Sequence, residues 1–364
     1  MQTTLRPLAA CVALTASLLV VAPPVTIAEG PVFPGIAWEV DDHASDRGHR
    51  LRADALTATL RSGDTSGMMV IVGGRVRFAY GNTEEVSYIA SARKSIVAML
   101  YGKYAQAGTV RLTSTLQQLG IDDQGHLLPV ERQATVADLL AARSGVYHPA
   151  ANLGDASARA PARGSVRPGK YFLYNNWDFN ALETILERAT GRSIYDLFSD
   201  DLALPLGLQD WNRTPGAYAA AIRNDTGASD FPAHHLVLST RDMARLGYVM
   251  LRHGRWENQQ VVPAGWVERI SRVVTPADEV ARTSPFVSGL GYGNLWWILS
   301  GPPFRGTALD DAFTASGAYG QFITVIPRLD AVVAHKTMAP STRNVPADVY
   351  FNRILPQVVE VIGR

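Results

Sequence analysis

The spacing of apolar positions divides the chain into strand-like ends and a helical middle. Two β-rich runs joined at Gly73-Gly74 make residues 67–82 the clearest predicted hairpin. Strand-like runs return near the end of the chain, at residues 291–299, 320–327 and 331–337. Helical patterns are predicted over residues 51–60, 91–107, 135–143, 178–190, 194–203, 240–253 and 346–362. Strands at both ends with helices between them imply one sheet whose two halves are distant in sequence.

This order of elements makes the helical middle an insertion into the sheet and not an independent domain. We predict a single domain over residues 29–364. Its sheet subdomain is expected at about 29–90 and 286–364, and its helical subdomain at about 91–285. Residues 144–170, rich in Gly, Ala, Pro and Arg, are predicted to form an ordered loop that lies over another part of the protein.

The first 28 residues have the pattern of a secretory signal peptide. Arg6 precedes a short apolar run, two prolines end that run, and Thr26-Ile27-Ala28 offers a small-residue cleavage site. We predict an exported protein, periplasmic or secreted, that is cleaved near Ala28. An uncleaved anchor is the alternative, but the apolar run is short for a membrane span, so no stable membrane insertion is expected. Cys11 is the only cysteine, so the mature chain is expected to have no disulfide and no thiol nucleophile.

Composition narrows the possible partners. The chain is 47% hydrophobic and 18% charged with a formal charge of +1, values typical of a soluble globular protein. No basic stripe is visible, so nucleic acid is not an expected partner. The sequence does not determine the oligomeric state.

A serine and a lysine stand three places apart in "SARK", residues 91–94. On a helix this spacing places Ser91 and Lys94 on the same face. The following residues are apolar all round, which predicts a buried helix whose positive end lies near Ser91. A desolvated lysine has a lowered pKa and could accept the serine proton. The alternative interpretation is a capping serine beside a solvated lysine, and the motif alone does not decide.

A second motif, "YNN" at residues 174–176, lies in an aromatic stretch before a helix predicted to start near Asp178. A phenol near a lysine ammonium ionises more easily and can relay a proton. The amide of Asn176 could hold the lysine or a substrate carbonyl. The alternative is a core tyrosine followed by asparagines in a turn, but the company of "SARK" favours a functional site.

Together with Ala315-Ser316-Gly317, these motifs resemble, in their order, the three motifs of the penicillin-binding-protein-like serine hydrolases. That family includes class C β-lactamases, related esterases and nylon-oligomer hydrolases. The similarity extends to residues 134–146 and 236–256 and covers most of residues 65–340. It implies an α+β fold of the β-lactamase/transpeptidase type, with an antiparallel sheet flanked by helices and an inserted all-helical subdomain. The active site would lie between the two.

The resemblance also implies roles for individual residues. Ser91 would be the acylated nucleophile, Lys94 its activating partner and Tyr174 the general base and acid. Asn176 would contact Lys94 and the substrate. The backbone N–H groups of Ser91 and Ala318 would form the oxyanion hole, and Ser316 and Gly317 of the third motif would bind the substrate beside it. An ester or amide substrate would be cleaved through an acyl-enzyme, without a metal or other cofactor.

The third motif departs from the penicillin-recognising pattern, which has Lys or His where this chain has Ala315. The version here is more similar to that of nylon-oligomer hydrolases and esterases, so an esterase or amidase is favoured. A β-lactamase, a D-aminopeptidase or carboxypeptidase, and a catalytically weak or silent relative that only binds peptidoglycan-like ligands stay open as alternatives. Arg305 could supply the missing positive charge.

Three other features have competing interpretations. His234-His235 lacks a third ligand at metal spacing, so a loop role is favoured over zinc. Tyr147, with His148, either lines the pocket or packs at the surface. Trp296 and Trp297 are neighbours in a predicted strand, so one should face the core and the other the pocket.

Overall fold

A seven-stranded antiparallel sheet joins the beginning and the end of the chain. The computed structural model describes Gln2 and residues 31–41, 46–152, 158–212, 222–223, 229–284, 288–338 and 344–363. Residues 32–364 form one compact unit. Apart from Gln2, the predicted signal peptide lies outside the described residues, as does part of the 144–170 loop.

The strands of the main sheet are β1 (Thr65–Val72), β2 (Arg75–Gly81), β9 (Leu290–Tyr292), β10 (Trp297–Leu299), β11 (Phe313–Gly317), β12 (Gln321–Ile326) and β13 (Ala331–Thr337). Their order across the sheet is β2-β1-β13-β12-β11-β10-β9. Two-residue strands pair outside this sheet: β3 (Ser87–Tyr88) with β6 (Val237–Leu238), β4 (Ile222–Arg223) with β5 (Ala233–His234), and β7 (Arg255–Trp256) with β8 (Gln259–Gln260).

The longer helices are α1 (Arg47–Ser62), α2 (Ala92–Gln106), α4 (Asn176–Thr190) and α7 (Thr240–Leu251). The shorter ones are α3 (Val136–Leu140), α5 (Ile194–Phe198), α6 (Leu204–Leu206), α8 (Ala264–Ile270), α9 (Ala277–Thr283), α10 (Ala347–Val349) and α11 (Leu355–Ile362). Single turns of 3₁₀ helix span Glu131–Gln133 and Pro327–Leu329, and π-helical turns span Ser199–Ala203 and Tyr350–Ile354.

Alternation along β1 separates two hydrophobic layers. Met69 and Ile71 belong to the layer that contains α2, α4 and α7, whereas Met68 and Val70 belong to the layer that contains α1 and α11. Successive side chains of a strand point to opposite faces, so one strand serves both layers. The sheet is therefore covered on both sides, and the predicted β-lactamase/transpeptidase-like α+β fold is confirmed.

The hairpin and the buried helix were predicted well. Gly73 and Gly74 both have positive φ, 59° and 91°, as a tight turn between twisted strands requires. Every residue of α2 from Ala92 to Gly102 is buried, as its lack of a polar face predicted.

The prediction of one continuous strand over residues 291–299 was wrong. The chain turns between β9 and β10, where Leu295 has a φ of 63° and its N–H donates to the carbonyl of Leu140. The spacing of apolar residues does not predict β11, because its five residues include Ala and Gly, which have low strand propensity. Helix α4 begins at Asn176, two residues before the predicted start, because Asn175 caps it.

The described residues contain neither a membrane-spanning helix nor a cluster of metal-ligating side chains. In the part of the chain that the structure describes, no helix is both long and apolar enough to cross a bilayer. The same residues contain no group of three or more His, Cys, Asp or Glu side chains placed to hold a metal ion.

Candidate active site

Ser91 lies at the start of the buried helix α2, at the position that caps the helix. The residue before it, Ala90, is buried and has a φ of 49°, a left-handed conformation that costs energy for a residue with a Cβ. The backbone thus turns sharply immediately before the serine, which leaves Ser91 half-buried at the end of the helix. A nucleophile in this position lies at the positive end of the helix dipole.

Lys94 connects the first two motifs. Its Nζ lies 3.0 Å from Ser91 Oγ, 3.0 Å from the Tyr174 hydroxyl and 2.7 Å from Asn176 Oδ1. The residue is 3% exposed, and the amine also lies 4.4 Å from the centre of the Tyr174 ring and 4.6 Å from that of Phe179. The alternative of a solvated lysine is therefore wrong, and four residues predicted from two motifs meet at one nitrogen atom.

Burial acts in opposite directions on the pKa values of this lysine and this tyrosine. Desolvation and then the charge of Arg93 hold the pKa of Lys94 well below its ordinary value, against the attraction of Glu183. Desolvation raises the pKa of Tyr174 to about 12, against its hydrogen bond with Ser91. The expectation of a more easily ionised phenol was thus wrong in direction, because burial of the Tyr174 hydroxyl disfavours its charged form.

Motif two is held by a network of buried polar side chains. The Asn175 side chain caps α4 by accepting from the Trp177 N–H, and it donates to the carbonyl of Val146 and to Asp178. Asp178 is in turn 2.5 Å from the hydroxyl of Ser144. These bonds tie the start of α4 to the loop after α3, so the backbone that carries Tyr174 and Asn176 is fixed by that loop.

The third motif approaches the serine through a glycine. A Cβ on Gly317 would overlap the carbonyl oxygen of Ile89 and lie 3.0 Å from the amide nitrogen of Ala92. Strand β11 therefore ends against the two residues that flank the Ala90-Ser91 turn. Ser316 is half-buried and Ala318 is exposed at the start of the turn that follows the strand.

The turn after β11 has its own supports. His335 Nδ1 lies 2.8 Å from the carbonyl oxygen of Gly320, and the Gln321 side chain donates to the carbonyls of Tyr319 and Thr337. The Thr337 hydroxyl also donates to the Tyr319 carbonyl. Tyr319 has a φ of 66°, unusual for a bulky residue, and these bonds hold it there.

Among the described residues, neither Arg305 nor Lys336 places its charge at Ala315 in the third motif. Ala315 itself is 0% exposed and packs in the layer that contains α2. Arg305 is exposed, and its guanidinium lies 3.5 Å from the carbonyl of Ser300 in its own loop. Buried Lys336 donates instead to the carbonyls of Glu85 and Leu238.

The remaining candidates are also placed. Tyr147 is half-buried, and desolvation followed by the neighbouring Asp178 raises the pKa of its hydroxyl. Trp296 is 1% exposed and packs on Phe313, whereas the ring of Trp297 lies 5.2 Å from that of Tyr174, as the alternation of strand neighbours suggested.

The two adjacent histidines contact different partners. His234 pairs with Glu183, and His235 stacks on Tyr88 with ring centres 4.4 Å apart. His234 is a buried residue of strand β5 and not part of a loop, contrary to the prediction.

The sequence did not point to the buried partners of Arg93. Its guanidinium pairs with Glu183 of α4, and both side chains are almost fully buried. A charged side chain is almost never fully buried without a partner, so an arginine in a buried helix indicates a buried acid nearby. The sequence does not show which acidic residue of the chain is that partner.

A family model described as Beta-lactamase matches residues 53–348, more than half of the chain. The chain belongs to the Beta-lactamase family. A 6-aminohexanoate-dimer hydrolase of Paenarthrobacter ureafaciens is 29% identical over 173 residues. That match covers 46% of this chain and 40% of the relative, so it spans less than half of either protein.

Solved structures show the same fold at low sequence identity. EstCE1, a hydrolase with promiscuous acyltransferase activity, has a TM-score of 0.63 at 16% identity, covering 88% of this chain and 100% of its own. A penicillin-binding protein homologue from Caulobacter crescentus has a TM-score of 0.61 at 14% identity, covering 89% of this chain and 97% of its own. These similarities establish the fold of this Beta-lactamase family member.

Proposed function

We propose that this β-lactamase-family serine hydrolase cleaves ester or amide bonds through an acyl-enzyme on Ser91. One observation carries the proposal: a desolvated Lys94 amine lies 3.0 Å from both the Ser91 hydroxyl and the Tyr174 hydroxyl. A neutral amine at hydrogen-bonding distance from a serine is a base in position to activate a nucleophile.

In acylation, Ser91 Oγ attacks the carbonyl carbon while its proton passes to Lys94 Nζ. The negative oxygen of the tetrahedral intermediate is stabilised by the N–H groups of Ser91 and Ala318. Tyr174 stays protonated because its pKa is raised to about 12, so it can donate its proton to the leaving oxygen or nitrogen as the carbonyl–leaving-group bond breaks. The Lys94 ammonium then returns a proton to Tyr174, and the acyl group remains on Ser91.

Deacylation follows the same path in reverse, with water as the nucleophile. The water oxygen attacks the ester carbonyl, and its proton passes to neutral Lys94, directly or through Tyr174. The bond between the acyl carbon and Ser91 Oγ breaks, Oγ recovers the proton, and the acid product leaves. Asn176, 2.7 Å from Lys94 Nζ, keeps the amine in place during both halves of the reaction.

Neutral substrates fit this site better than anionic ones. The region of the third motif offers an alanine where a cation would bind a carboxylate, and Arg305 and Lys336 are engaged elsewhere. The printed names of two similar proteins, a 6-aminohexanoate-dimer hydrolase and the hydrolase EstCE1, support hydrolysis of this kind. We therefore place esters and amides without a free carboxylate ahead of β-lactams and D-peptides.

A fluorophosphonate probe tests the nucleophile directly. We expect the purified protein to be labelled on one serine, identified by peptide mass as Ser91. Ser91→Ala should abolish labelling, whereas the matched control Ser95→Ala, on the same helix but bonded to the carbonyl of Leu295, should label if it folds. A wild-type protein that binds ligands but never labels would favour the alternative of a silent relative.

Export is a second part of the proposal. It is supported by the basic, apolar and small-residue pattern of the first 28 residues. Mature protein recovered from a periplasmic or culture fraction should begin near Glu29, as measured by intact mass. Recovery of material that retains residues 1–28 would contradict it.

A further inference from the structure

A buried ion pair includes Arg93, the residue next to the lysine of the candidate site. Arg93 and Glu183 are paired with side chains 2% and 1% exposed. Arg93 immediately precedes Lys94 on α2, and Glu183 lies two turns along α4 from Asn176. The pair therefore joins the two helices that carry the first two motifs.

Glu183 is the centre of this cluster, because it accepts from three donors. Its first carboxylate oxygen faces Arg93, and its second lies 3.0 Å from His234 Nδ1 and 3.2 Å from the His234 backbone nitrogen. His234 Nε2 lies 3.5 Å from Glu187. Asn180 lies 3.5 Å from Arg93 and adds a neutral acceptor.

Stability alone does not account for an ion pair that is buried this deeply. Taking two charges out of water carries a desolvation penalty that their attraction often only matches, and apolar residues of similar size can replace such pairs without loss of stability. Arg93 is the neighbour of Lys94 on α2, and Glu183 is paired with Arg93. The arginine charge therefore opposes a proton on Lys94, and the carboxylate favours one. The two effects have opposite signs and partly cancel.

We propose that Arg93 and Glu183 are positioning residues for the reaction, whose mutually compensating buried charges fix the electrostatic field in which Lys94 gains and loses its proton. The inference rests on the proposed function, because it assigns these residues to the same site. In the described part of the chain, the titratable groups that face Lys94 or this pair from the surrounding elements are Tyr101, Tyr174, Tyr195 and His234. Behind them, Glu187 lies near His234 and Tyr88 faces Tyr174. These are present in every variant compared below.

The test is the pH dependence of fluorophosphonate labelling of Ser91, which rises as Lys94 loses its proton. Glu183→Gln leaves the arginine charge uncompensated, so its midpoint should move about one pH unit lower. Arg93→Met leaves the carboxylate uncompensated, so its midpoint should move about one pH unit higher. The double variant removes both charges and should return close to the wild-type midpoint.

Controls separate this role from simple stabilisation. Arg93→Lys keeps the positive charge and should keep the midpoint within a few tenths of a pH unit. Arg77→Met breaks a partly buried pair with Asp41 on another part of the sheet, and should lower the Tm without moving the midpoint. A merely structural pair would lower the Tm in both single variants and leave their midpoints in place.

Each outcome decides the inference. If Glu183→Gln does not fold, Glu183→Asp, which withdraws the carboxylate by one methylene, should shift the midpoint in the same direction by less. Coinciding midpoints in all folded variants of an enzyme that labels normally would overturn this inference alone. A wild-type protein that does not label at any pH would overturn the proposed function and this inference together.

Discussion

Gly317 of β11 lies in direct contact with the carbonyl of Ile89, and no space remains between them for a side chain. The contact brings the end of the third motif against the turn that presents Ser91. Because the obstacle is backbone, a substituted side chain cannot be accommodated by rotation of a neighbour. Strand β11 can therefore approach the start of α2 this closely only because residue 317 is a glycine and has a hydrogen atom in place of a methyl group.

We expect Gly317→Ala to separate β11 from α2 and to reduce kcat/KM by roughly 10- to 100-fold, as small displacements of catalytic groups do. The added methyl should also cost about 1–3 kcal/mol of stability. Steady-state kinetics and thermal melts measure both. The control is Gly265→Ala in helix α8, where nothing lies within 4 Å of the new Cβ, and which should retain full activity.

Lys94 and Tyr174 share one hydrogen bond and should act as a unit. Lys94→Ala and Tyr174→Phe should each reduce kcat by about 10²–10⁴-fold, and the double variant by little more than the worse single one. Lys94→Arg should fail as well, because a guanidinium does not release its proton at working pH. Either single variant with near-wild-type turnover would contradict the proposed proton relay.

The pH profile of kcat/KM should rise on its acidic side and should show no decline caused by deprotonation of Tyr174. Lys94 must be neutral to accept the serine proton, so kcat/KM should rise with pH through its depressed pKa and then level off. Tyr174 must be protonated, and its pKa of about 12 keeps it so across the usable range. A decline that begins near pH 8 to 9 and disappears in Tyr174→Phe would show that Tyr174 loses its required proton in that range, and would contradict a raised tyrosine pKa.

His335 should make the fold sensitive to acid. Its Nδ1–H donates to Gly320, Nε2 accepts from the Thr65 hydroxyl 2.9 Å away, and burial lowers its pKa to about 4. The unfolded chain, with an ordinary pKa near 6.5, binds this proton more readily. The stabilisation is thus complete above about pH 6.5 and is lost as the pH falls towards 4, by about 3 kcal/mol.

Urea unfolding at several pH values measures this effect. His335→Gln keeps a donor and an acceptor but has no titratable group, so its free energy of unfolding should fall less between pH 6.5 and 4 than that of the wild type. His253, on the surface after α7, provides a control: His253→Gln should leave the wild-type slope unchanged. Equal slopes for wild type and His335→Gln would contradict the prediction.

The parts of the site that follow from local spacing could be predicted, and those that depend on long-range pairing could not. Ser91 and Lys94 share a helix, so their proximity follows from helical geometry alone. Tyr174 is 80 residues from Lys94, and it was paired with the lysine because the two motifs occur together and resemble those of a known family. No local pattern could pair Arg93 with Glu183, which are 90 residues apart, or bring the carbonyl of Asn152 to the side chain of Asn176.

The fold shows the same division. The β1–β2 hairpin and the buried α2 were predicted from periodicity because their patterns are long and regular. The break between β9 and β10 depends on a contact of Leu295 with the distant Leu140, and β11 consists mainly of residues with weak strand preference. Tertiary contacts, not local propensity, determine these elements.

Substrate choice should follow from Ala315, because the penicillin-recognising pattern has a cationic Lys or His at this position. A carboxylate that enters a partly dehydrated cleft loses hydration, and a charge-assisted hydrogen bond would recover about 1.5–3 kcal/mol. Ala315 is buried and offers no donor, and Arg305 lies exposed on its own loop. We therefore expect p-nitrophenyl butyrate, which is neutral, to be hydrolysed with a kcat/KM at least tenfold above that of nitrocefin, which carries a carboxylate.

Variants separate the two possible sources of positive charge. Arg305→Ala should leave both kcat/KM values unchanged, because that guanidinium takes no part in binding. Ala315→Lys should raise the nitrocefin value relative to the ester value if the lysine can extend from its buried position, and a melt will show whether it does so without unfolding. The quantity compared is the ratio of the nitrocefin kcat/KM to the ester kcat/KM for the same variant. A loss of activity that affects both substrates equally therefore cancels. Wild-type hydrolysis of nitrocefin at or above the rate of the neutral ester, or its loss in Arg305→Ala, would show that a cation reaches the site after all.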